Sequence, residues 1–74
     1  MTKPQPESQE ISAARLIRRA RKVAGLSQLR LAERLHVAEP LVWAWEHEYR
    51  KPKLETLRRI ADAIGCPITE LVKL

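Results

Sequence analysis

Seventy-four residues allow one small domain with a single core, too short to house both a buried catalytic cleft and a substrate lid. Phe is absent and Gly scarce, which favours an all-helical chain, and the lone Cys66 excludes an internal disulfide. A formal charge of +5 points to an anionic partner or, equally, to an ordinary solvated surface.

In chain order, residues 1–10 hold two prolines and no aliphatic side chain after Met1, so they read as a disordered tail ahead of a domain at 11–74. Ser12 is a fair N-cap for a first helix reaching about Ala24, with Ala13, Ile17, Ala20 and Ala24 as its core stripe. Arg15, Arg18, Arg19 and Lys22 cover the remainder, and Gly25 ends the helix as a left-handed residue. Ser27 caps a second helix over 28–35, whose Leu31, Ala32 and Leu35 share a face.

His36 and Val37 form a corner, and a third helix starts at Glu39 or Pro40 and runs to about His47, with Val42 and Trp45 inward. Residues 48–52 are a loop. A fourth helix over 54–64 carries Leu54, Leu57, Ile60, Ala61 and Ile64 at helical spacing. Gly65 and Pro67 close it, and 67–74 make a short last helix using Ile68, Leu71 and Val72.

No nucleophile–base pair, paired carboxylates or phosphate-cradling glycine loop is present, so no enzyme is expected. Cys66, His36 and His47 lack metal-ligand spacing, and neither metal nor cofactor is expected. With no apolar run near 18 residues and no signal-peptide pattern, the expected location is the cytoplasm, without a membrane role.

Read in register over about residues 13–72, one ordered set of residues carries a resemblance. It comprises Arg21, Gly25-Leu26-Ser27-Gln28, Leu31-Ala32, Leu35, Val37, Glu46, Pro52, Leu57, Ile60-Ala61, Ile64-Gly65 and Leu71. This set resembles the Cro-like or Xre-like helix-turn-helix of the phage-repressor family. The resemblance implies an all-α, five-helix, lambda-repressor-like domain with its helix-turn-helix at 28–47. It also implies sequence-specific binding of double-stranded DNA by a homodimeric transcriptional regulator, one third helix per half-site.

Residue by residue, the resemblance implies phosphate contacts from Gln28 and from Arg50, Lys51 and Lys53 in the loop. Arg30, Arg18 and Arg21 are further candidates. It implies base reading at Glu39, Pro40, Trp43 and Ala44, and an ion pair between Arg21 and Glu46 that orients the third helix. The family usually has Gly at the His36 corner, where φ tends to be positive, and near Glu48.

This chain departs from the pattern where bases are read. No Lys or Arg occurs between Leu35 and Tyr49, whereas Glu39, Glu46 and Glu48 do. Glu39 suits a cytosine N4 amino group, and Trp43 or Ala44 a thymine methyl. Leu16, Val23, Leu29, Leu41 and Trp43 are apolar where the family is polar. They define a second reading, a protein-interaction module on the same fold, with Leu16, Val23, Leu41 and Trp43 as the partner surface.

Overall fold

The computed structural model describes residues 12–72. The tail expected at 1–10 lies outside these residues, as do Ile11, Lys73 and Leu74 at the edges of the expected domain. The described chain forms α1 (Ala13–Val23), α2 (Gln28–Leu35), α3 (Glu39–Glu46) and α4 (Leu54–Ile64), followed by a 3-10 turn at Ile68–Glu70.

The domain is therefore all-α, with four α-helices where five helices were expected. In place of the last helix, Glu70 N–H donates to the Pro67 carbonyl and Leu71 N–H to that of Ile68. This tighter winding stacks residues three apart on one side. It delivers Leu71, fully buried, into the core.

Helices of eight residues are marginal in water, so α2 and α3 depend on tertiary contact. α2 packs on α3 and α4, and α1 packs on the same two helices. The core takes one completely buried side chain from each part: Ile17, Leu31, Val42, Ile60 and Leu71. Two arginines fasten α2 to α4 at carbonyls that helix ends leave unpaired. Arg34 Nη1 donates to the Ala63 carbonyl (2.8 Å), and Arg59 Nη2 to the Leu35 carbonyl (3.2 Å).

All four helices end alike. The N–H groups of Leu26, Val37, Tyr49 and Cys66 each reach back five residues, to the carbonyls of Arg21, Ala32, Ala44 and Ala61. Each turn needs a left-handed residue just before that donor. Gly25 and Gly65 supply it without strain, at φ 75° and 91°; His36 and Glu48 supply it at φ 59° and 63°, where a Cβ is unfavourable. His36 is exposed and its ring makes no described hydrogen bond, so His36→Gly is expected to raise unfolding free energy by about 0.5–1 kcal/mol, read by urea denaturation.

Three expectations about packing need correction. The buried face of α1 is wider than the stripe read from alanines. It runs through Ala14, Leu16, Ile17, Ala20 and Arg21, while Ala13 is half-buried at the start and Ala24 lies exposed beyond the end. Leu16, assigned to a partner surface, is only 8% exposed, because it lies at the rim of that face. Leu54, read at helical spacing with Leu57, Ile60, Ala61 and Ile64, does not join them in the core: it is the first residue of α4 and is 53% exposed.

Cys66 is half-buried, and desolvation followed by the Glu70 carboxylate pushes its thiol above the usual value. Among the described residues, no cluster of His, Cys, Asp and Glu could hold a metal ion. No helix among them is long and apolar enough to cross a membrane.

Candidate nucleic-acid interface

A buried ionic clamp sets the relation of α3 to the rest of the fold. Arg21 Nε donates to Glu46 Oε2 at 2.6 Å and Arg21 Nη2 to Glu46 Oε1 at 2.9 Å, a two-pronged pairing with side chains 8% and 1% exposed. The third arm, Nη1, donates to the Leu26 carbonyl at 2.8 Å. Gln28 Nε2 donates to Glu46 Oε1 at 3.0 Å. One carboxylate at the end of α3 thus fastens α1 and the first residue of α2, while Arg21 also holds the α1–α2 turn. Every buried polar side-chain atom described is satisfied. Fully engaged here, Arg21 is removed from the phosphate candidates.

Ser27 caps α2 by accepting the Arg30 N–H at 3.0 Å. The N–H groups of Gln28 and Leu29, the first two of the helix, have no partner within it. They carry the positive end of the helix dipole and can receive an anion. Gln28 keeps a second amide N–H beyond the one given to Glu46. Arg30 is exposed and lies 3.5 Å from Glu33, a weak solvated pair. Arg50, Lys51 and Lys53 are exposed in the segment leading into α4, and Arg18 is exposed on α1.

Ala38 holds the extended N-cap position of α3, with Glu39 and Pro40 in its first turn. Glu39 and Pro40 are exposed, Trp43 is 43% exposed and Ala44 half-buried. Gln28, Glu39, Pro40 and Trp43 line a shallow, open cleft of about 270 Å³.

Trp43 belongs to a three-ring stack that the sequence reading missed. The His47 ring lies 4.0 Å from it at 17°, and the Tyr49 ring 5.3 Å from it at 18°. His47 Nδ1 meets the Trp43 carbonyl at 2.9 Å; a carbonyl only accepts, so Nδ1 carries the proton. The spacing of Trp43 and His47, i and i+4 on one helix face, was the available signal. Tyr49 gave none, because it reaches Trp43 only through the left-handed turn at Glu48. Ser12 helps hold that turn: its Oγ donates to Glu48 Oε2 at 3.0 Å instead of capping α1.

Of the proposed partner surface, Val23 (82% exposed) and Trp43 remain open, whereas Leu41 is half-buried against the core.

The chain matches the Helix-turn-helix family model over residues 17–71. It belongs to the Cro/Xre-like helix-turn-helix family. This is a family of DNA-binding regulators. Among solved structures the chain is similar to the P22 c2 repressor protein, determined with synthetic operator 9T in the presence of Tl+. The TM-score is 0.74 at 25% identity, over 85% of this chain and 96% of that one. It shares its fold with the hypothetical transcription factor NHTF from Neisseria, with a TM-score of 0.80 at 24% identity over 99% and 86% of the two chains. No curated protein sequence matches it.

Proposed function

We propose that the chain is a sequence-specific DNA-binding transcriptional regulator that lays α3 in the major groove and sets the N-terminus of α2 against a phosphate. The observation that carries this reading is the clamp of Arg21, Glu46 and Gln28, which joins the anion-ready end of α2 to the exposed face of α3 as one rigid unit. Membership of the family and likeness to an operator-bound repressor support it.

In this reading Gln28 and the α2 N–H groups hold one phosphate, while Arg50, Lys51 and Lys53 hold the flanking backbone. Arg30 adds an outer contact. Glu39, Trp43 and Ala44 face base edges; Pro40 has no N–H and offers ring carbons only. A homodimer on a two-fold site would place one α3 in each half-site.

The second reading, a protein-interaction module with weak DNA binding, draws on the absence of any Lys or Arg in α3 and on the exposed Val23, Leu29 and Trp43. One experiment separates the two. The double change Arg50→Ala with Lys51→Ala is expected to weaken binding to every duplex and to flatten the salt dependence by about two units of log–log slope. An unchanged slope contradicts the anchoring role.

A further inference from the structure

We infer that the cleft between Gln28, Glu39, Pro40 and Trp43 is a subsite for 5-methylcytosine in duplex DNA. The inference rests on the DNA-binding reading above and names the base that the site prefers.

The chemistry of the lining makes the selection. Glu39 and Trp43, four residues apart, share one face of α3, and Pro40 adjoins them. The Glu39 carboxylate makes no hydrogen bond to the described residues and is acceptor-only when ionised. Beside it the wall is carbon, from the Pro40 ring and the Trp43 indole. The indole is held by the two stacked rings, His47 being tied in turn to the Trp43 carbonyl. Gln28, the fourth lining residue, gives one amide N–H to Glu46 and, in the reading above, the other to a phosphate. Glu39 and the carbon wall then set what the base must offer, an N–H donor and an adjacent apolar group on one edge.

Each ordinary base fails one of these demands. In the major groove guanine shows two acceptors, which a carboxylate repels. Thymine has the methyl group but sets its O4 acceptor next to it, against Glu39. Adenine offers an N6 donor without a methyl group, and cytosine an N4 donor beside a bare C5–H. Cytosine methylated at C5 keeps the N4 donor and adds the methyl group to its neighbour. Methylation on the amino nitrogen of adenine or cytosine replaces the groove-side N–H and removes the donor. The lack of Lys and Arg on α3 follows from the same logic, since their preferred partner is guanine.

The test uses the full chain and two barcoded random-sequence duplex libraries, one prepared with 5-methyl-dCTP in place of dCTP. They are mixed in equal amounts, and the bound fraction is recovered at low salt and sequenced. The methylated library is expected to be enriched about fourfold per site, the worth of burying one methyl group, and to converge on a fixed cytosine position.

Trp43→Ala should abolish the enrichment. Glu39→Gln, which can also donate, should admit thymine at that position. Strong, salt-sensitive recovery of both libraries in equal amounts overturns the subsite and leaves DNA binding standing. Recovery of neither overturns both readings. Enrichment that persists in Trp43→Ala shows methylation acting through DNA shape, and a library with deoxyuridine for thymidine that alone loses binding shows a thymine site. Either result overturns the assignment.

Discussion

Glu46→Ala is expected to cost about 3–5 kcal/mol of unfolding free energy, because it leaves the Arg21 guanidinium buried without its counter-charge. A domain of this length has about 4–11 kcal/mol in total, so the change removes a large share of its stability and should shift the urea midpoint well below the parent's. Gln28 loses its acceptor in the same change, although it is half-buried and can turn to water. Replacing the pair together, Arg21→Met with Glu46→Leu, should recover most of the loss, since the cost lies in the orphaned charge. Urea denaturation of the single and double variants checks this. A Glu46→Ala protein within about 1 kcal/mol of the parent would show that the clamp behaves as an exposed pair does. The double variant has a second use: stable but with α3 no longer tied to α2, it should bind duplex DNA less tightly than the parent.

Leu31→Ala is expected to cost about 2–5 kcal/mol, through lost burial and the cavity left behind. Leu31 is fully buried on α2, the helix that packs against both α3 and α4, so few neighbours can move to fill the space. The same measurement applies. A cost below about 1 kcal/mol would mean that the core around α2 collapses freely, contrary to a rigid two-helix unit.

The sequence made most of the scaffold legible, and the reasons are local. Ser27 followed by a periodic Leu31, Ala32 and Leu35 marks a capped amphipathic helix, and Gly25 and Gly65 mark helix ends because left-handed backbone suits a residue without a Cβ. Less legible was what depends on the third dimension. Leu16 reads as a surface residue because the family is polar there, and only the packing of α1 on both α3 and α4 shows a buried face wide enough to include it. Where a last helix was expected, the described residues make one 3-10 turn that carries Leu71 into the core, which helical periodicity does not distinguish from an α-turn. At the site, Arg21 and Glu46 stand 25 positions apart, and no periodicity links them; the family resemblance alone paired them. The Tyr49 contact with Trp43 depends on Glu48 adopting a conformation that its side chain disfavours, which a propensity argument runs against.

A working phosphate surface beside α3 would reveal itself in a titration of the chain with random duplex DNA at roughly 50 and 200 mM salt. Micromolar binding is expected at the lower salt, falling at least tenfold at the higher, as counterions displaced when Arg50, Lys51 and Lys53 neutralise phosphates would require. Absence of binding at both salts would contradict it and direct attention to protein partners of Trp43 and Val23.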